Sequence, residues 1–86
     1  MYYDMKGMNK MIITRKKIVV KSTKAKTSYI IITSNETRAF YDYITEDNDK
    51  GTKTTWKASA NKYAFIEYLK GARVPNKIIE EVEKYD

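Results

Sequence analysis

The sequence predicts an α+β domain in which a four-stranded antiparallel sheet is followed by two C-terminal helices, and which pairs as a dimer. Three observations carry this expectation. β-Branched and aromatic residues recur up to residue 57 in short runs separated by polar, turn-forming tracts. Beyond Ser59 the apolar spacing changes to that of a helix. One run, Tyr29-Ile30-Ile31-Ile32-Thr33, is apolar at both parities, as a strand covered on two faces would be.

The elements follow in order. Met1 to Asn9 hold three of the four methionines, leave room for a later translation start, and are set apart as a flexible N-terminal segment. Residues 10 to 86 form the single domain. Lys10 to Ser22 contain Ile12, Ile13, Thr14, Ile18, Val19 and Val20. As a strand they would place Arg15, Lys17 and Lys21 on one face and Ile12, Ile18 and Val20 on the other. Lys16 interrupts that alternation, as a bulge or a strand end would. Ser22 to Thr27 read as a polar hairpin connection, followed by the Tyr29 to Thr33 strand.

Residues 34 to 45 fit either a helix capped by Asn35 or a strand through Phe40, Tyr41, Tyr43 and Ile44. The strand is favoured, because Glu46-Asp47-Asn48-Asp49-Lys50-Gly51 is an evident turn and Thr52 to Lys57 alternate beyond it, with Thr54 and Trp56 on one face and Lys53, Thr55 and Lys57 on the other. A hairpin accounts for both sides. Ser59 is placed to cap a helix with Ala64, Phe65, Tyr68 and Leu69 on its apolar side and Gly71 at its end. Pro75 then opens a second helix burying Ile78, Ile79, Val82 and Tyr85.

Eighty-six residues, 42% hydrophobic and 33% charged, suit one small globular domain that buries only about 60% of its unfolded surface. No cysteine is present, so neither disulfides nor a zinc-thiolate site supplements the core. No secretory signal or membrane span is legible, and a cytoplasmic location is the expectation. The uncovered apolar face of the sheet calls for a homodimer.

Catalysis is poorly supplied. Without His or Cys the commonest general base, the thiolate nucleophile and the usual transition-metal ligands are missing. Gly7, Gly51 and Gly71 form no phosphate-cradling loop. A carboxylate site pairing Asp42 with Glu46 or Asp47 is weak, since acids beside a turn are usually solvated. The acidic turn lacks the downstream bidentate Glu of a calcium loop. No catalytic residue, metal or cofactor is assigned.

Charge is the functional signal. Residues 1 to 28 carry eight basic groups against one acid, a net of +7, whereas residues 29 to 86 carry nine against ten, a net of −1. Clustered cations of this kind attract a polyanion and release its counterions. Arg15, Lys16, Lys17, Lys21, Lys24 and Lys26 on the first hairpin, with Lys53 and Lys57 on a later strand, are the candidate nucleic-acid-binding residues. The bland alternative is that edge-strand lysines block sheet-to-sheet aggregation. Trp56 and Phe40 are expected in the core. Tyr41 and Tyr43, on a shared face, would serve either base stacking or a subunit interface. No helix carries base-reading residues at duplex spacing, so RNA or single-stranded nucleic acid is the expected partner.

In size, Lys, Ile, Tyr and Asn bias, and layout, the chain resembles the small phage-encoded RNA-binding inhibitors of ToxN-type ribonuclease toxins. The resemblance implies a homodimer that binds RNA through a basic patch and blocks a host toxin or defence protein. It assigns no residues. A protein-protein inhibitor whose basic surface meets an acidic partner is the alternative.

Overall fold

A computed structural model describes residues 13 to 85. The N-terminal segment of residues 1 to 9, and Ile12 of the first predicted strand, lie outside the described residues. Strands β1 (Thr14–Ser22), β2 (Lys26–Ser34), β3 (Ala39–Asp47) and β4 (Lys53–Ser59) are followed by helices α1 (Lys62–Gly71) and α2 (Asn76–Lys84). The sheet is an antiparallel meander in the order β1-β2-β3-β4. Residues 39 to 45 are therefore strand. Asn35 caps a turn rather than a helix, its side-chain oxygen accepting from the backbone N–H groups of Thr37 and Arg38.

Both helices lie on one face of the sheet. Ile18, Ile30, Ile32 and Tyr41 from that face meet Phe65, Ile66 and Leu69 of α1, Val74, and Ile79 and Val82 of α2. Ile30, Ile32, Phe65, Leu69 and Val82 are fully buried, each contributing about 1.5 to 3 kcal/mol of transfer free energy. Tyr41 stacks on Phe65 at 5.4 Å between ring centres, and Tyr43 meets Tyr68 edge-on at 6.2 Å. The shared face of these two tyrosines is thus the helix-covered one, where they pack with the core and offer no stacking platform.

The helix termini depart from the sequence reading in instructive ways. Asn61, not Ser59, caps α1, accepting from the Ala64 N–H at 2.9 Å; Ser59 in turn accepts from the Asn61 N–H. The helix ends at Gly71 as the sequence indicates, but Gly71 is not the left-handed residue that closes it. Arg73 occupies the left-handed region at φ 62°, with Arg73 N–H donating to Lys70 C=O and Val74 N–H to Leu69 C=O. This is a Schellman closure, and buried Val74 and Leu69 supply its apolar contact. Lys62 Nζ donates to the carbonyls of Glu83 and Tyr85, both at 2.8 Å, satisfying the last turn of α2.

Two one-residue bulges reset the side-chain parities. In β1 the register with β2 runs Arg15 to Thr33, Lys17 to Ile31 and Val19 to Tyr29, then resumes at Lys21 opposite Ser28. The extra residue is Val20, not Lys16. In β4, Thr55 pairs Ile44 but Lys57 pairs Tyr43, leaving Trp56 as the extra residue. Each bulge moves everything beyond it to the other face.

Candidate nucleic-acid interface

The bulges divide the eight predicted basic residues. Arg15, Lys17 and Lys53 stand on the open face of the sheet, around a shallow depression that also holds Tyr29, Asp42 and Glu46. Lys21 and Lys57 do not join them. Lys21 pairs Ser28 and Lys57 pairs Tyr43, so both belong to the helix side. Lys26 lies on that side too, with Thr45, Thr54 and Trp56 around it. Lys24 sits in the hairpin loop that joins β1 and β2. Lys16 is on the helix side but toward the opposite end, opposite Ile32.

Why the helix side has room for cations is written in its pattern. Positions that face the helices are Ile18, Ile30, Ile32 and Tyr41 at one end, but the same face reads Lys21, Ser28, Thr45 and Thr54 at the other. The apolar stripe ends, and the helices end with it. That polar row crosses all four strands, roughly 14 Å at about 4.8 Å between neighbours. Ser28 and Thr45 share a hydroxyl hydrogen bond of 2.8 Å.

Trp56 is the second departure from expectation, along with Phe40. Both are substantially exposed, at 55% and 43%, because Trp56 lies beside Thr45 and Thr54, where the apolar stripe has ended, and Phe40 faces away from the helices. The indole Nε1–H nevertheless donates to Thr45 Oγ1 at 2.8 Å, so the ring is exposed and held.

Two clefts flank the Ser28–Thr45 pair. One, of about 460 Å³, lies between Lys21, Ser28, Tyr43 and the α1 to α2 turn with Arg73. The other, of about 240 Å³, holds Lys26, Thr45, Thr54, Asp47 and Trp56. Burial and the neighbouring Tyr68 raise the Tyr43 hydroxyl above its ordinary pKa against an opposing hydrogen bond with Ser28, so it stays protonated at neutral pH. The Asp47 carboxylate is held below its ordinary value by the backbone N–H groups of Lys50 and Asp49, at 3.0 and 2.9 Å, and to a lesser degree by the charge of Lys26 across the strands. Its role is to close the turn. No ion pair among the described residues involves Lys21, Lys24, Lys26, Lys57 or Arg73; the one present, Lys70 with Glu67, lies on α1.

Two residues of this surface escaped the sequence reading. Arg73 carries no local signal, because its position depends on how α1 closes. Asn48 looked like an ordinary turn residue, yet its side-chain N–H₂ donates to the carbonyls of Thr23 and Lys24, and its oxygen accepts from Thr27 Oγ1. It fastens the Lys24 loop to the β3 to β4 turn.

Set beside known protein families, characterised proteins and solved structures, the chain matches none. Among the described residues no helix is long and apolar enough to cross a membrane, and no group of three or more acidic residues forms a metal site.

Proposed function

We propose that this protein binds RNA or another single-stranded nucleic acid across the end of the sheet that the helices leave uncovered. One observation carries the reading: Lys21, Lys26 and Arg73, none in an ion pair among the described residues and only Lys26 near an acid (Asp47), line the clefts beside a hydroxyl pair and an indole fixed by its own hydrogen bond, with Lys24 in the adjoining loop and Lys57 on the same side of the sheet. Cations supply sequence-independent attraction to phosphates, and an exposed, anchored ring accepts an unpaired base of any identity. Duplex offers no free base face, so the indole favours single strands.

The test is a salt series with a random-sequence oligonucleotide. With four or five phosphates neutralised, log K falls against log[salt] with a slope of about −3 to −3.5, using roughly 0.7 per phosphate. Changing Lys21 and Lys26 together to Glu weakens all sequences alike. A folded double mutant that binds as tightly as its parent refutes the site. A protein that purifies free of nucleic acid and ignores oligonucleotides returns the basic surface to an acidic protein partner.

A further inference from the structure

The open face of the sheet is unlike the helix side: its charges are ordered around an apolar centre. Across adjacent strands Lys17, Ile31 and Asp42 form one row, Val19, Tyr29 and Ile44 the next, and Arg15, Thr33 and Phe40 the row on the other side. Val19 and Phe40 are 48% and 43% exposed, whereas Tyr29 is 5% exposed beneath Lys17, whose Nζ lies 4.4 Å from its ring centre. Cations therefore line β1, apolar groups β2, and acids β3.

We propose that a second copy of this chain covers this face, with the twofold axis running along β2 between the two sheets. Rotation about that line lays β1 of one copy over β3 of the other while keeping each row at its own height. Lys17 then meets the second copy's Asp42, Val19 meets Ile44, Arg15 meets the face of Phe40, and Ile31 meets Ile31. Along the Lys17 and Val19 rows the contacts are opposite in charge or apolar on apolar. In the outer row the Phe40 ring already has its own Arg38 6.0 Å from its centre, so Arg15 shares that ring with a like charge and this row adds little. A twofold axis across the strands through the Lys17 row sets Lys17 on Lys17 and Asp42 on Asp42, which like-charge repulsion rejects. The natural sheet twist keeps the match best near the axis, where the apolar residues are. Three strands overlap, roughly 14 Å by 23 Å from strand spacing and rise, or about 320 Å² per copy, which is below the roughly 1,000 Å² in total of a stable interface. The pairing is accordingly weak and transient, and is populated only at the upper end of the micromolar range.

The pairing has a functional consequence, which rests on the nucleic-acid reading above. With the open faces joined, the two basic surfaces point away from each other. They cannot form one continuous track, so the dimer holds two strands, or two distant parts of one, and bridges them.

Sedimentation and light scattering between about 1 and 200 µM test the pairing. The expected mass approaches twice the 10.1 kDa of the chain. Lys17→Asp and Asp42→Lys each raise the dissociation constant about tenfold or more by opposing like charges, and the combined exchange brings it back at least threefold below the worse single variant. The Lys17–Tyr29 contact is lost in Lys17→Asp and in the combined variant alike, so recovery from Lys17→Asp reports charge across the interface. A parent monomeric at every concentration, or an exchange that recovers nothing, overturns the proposal. Bridging is read by energy transfer between two differently labelled oligonucleotides, present with the parent and absent with folded Ile31→Glu, which still binds either one alone. Dimers that bind no oligonucleotide defeat the nucleic-acid reading and leave the pairing standing; dimers that bind both labels without transfer defeat the bridging.

Discussion

Arg73→Gly separates stability from function at a single position. Arg73 sits at φ 62°, where an L-residue carries a penalty of about 1 to 2 kcal/mol from its Cβ. Glycine removes that penalty but gives the unfolded chain more freedom, which takes back roughly 0.5 to 1 kcal/mol. The net expectation is a protein more stable by about 0.5 to 1 kcal/mol, a rise in Tm of roughly 2 to 8 °C for a domain of this size. The same change removes one of the five cations of the proposed interface, so the salt slope becomes shallower by about 0.7. Arg73→Ala is the control: it loses the charge and keeps the Cβ, and so shows the shallower slope with a Tm close to the parent's. Thermal melts by circular dichroism and oligonucleotide titrations followed through the single tryptophan measure both. A Gly variant that melts below the parent sinks the strain argument, and unchanged slopes in both variants remove Arg73 from the interface.

Other substitutions probe the remaining parts. Gly71→Ala, in a helix and with nothing within 4 Å of the added methyl, should raise stability by about 0.5 to 1 kcal/mol in denaturant titrations. Trp56→Ala should weaken single-strand binding by about 1 to 3 kcal/mol if one base stacks there, leaving the far-ultraviolet spectrum native; unaltered affinity would dismiss the indole as a platform. Asn48→Ala removes three side-chain hydrogen bonds between the two turns and should lower stability by roughly 1 to 3 kcal/mol, with faster amide exchange in the Lys24 loop. Because the folded-state pKa of Asp47 is depressed by the N–H groups of Lys50 and Asp49, its stabilisation is present above the ordinary carboxylate value and is lost as pH falls through the lower folded one. Asp47→Ala should therefore be less stable than the parent near neutrality and converge with it in acid, a trend that melts across pH 2 to 7 will reveal or contradict.

Much of the fold was legible because its local signals agree with one another. β-Branched runs, the acidic turn and the change from a period of two to that of a helix each mark one element, and strand β2 announces its inner place in the sheet through Tyr29 to Thr33. The site was legible only as a composition. Parity assigned Lys21 to the company of Arg15 and Lys17, and Lys57 to that of Lys53, because an extra residue in one strand is invisible until its partner strand is known. Tyr41 and Tyr43 were correctly placed on one face, but nothing local says which face the helices choose. Trp56 was expected inside on the general behaviour of large aromatics, and it stands exposed beside Thr45 and Thr54, where the apolar stripe has already ended. A usable signal was nevertheless present in β2: its helix-facing parity turns from Ile30 and Ile32 to Ser28 and Lys26, which marks where the core stops.

The two bulges bear on why one small sheet can carry two different surfaces. Both lie on outer strands, β1 and β4, and within a row or two of the height at which the apolar stripe gives way. If both strands kept strict alternation, Lys21 and Lys57 would stand on the open face with Arg15, Lys17 and Lys53, five cations against Asp42 and Glu46. That face would repel a second copy of itself, and the helix side would keep Lys26 without its flanking charges. Inserting Val20 and Trp56 sends Lys21 and Lys57 across the sheet instead, to the side where Trp56, on the face of Thr54 either way, is an exposed ring. The open face is left with cations and acids in positions that answer each other, and the helix side receives cations of which only Lys26 has an acid, Asp47, beside it. Sorting charge between the faces is thus a backbone device, and it is what would let the proposed self-association and the proposed polyanion binding coexist in a chain of 86 residues.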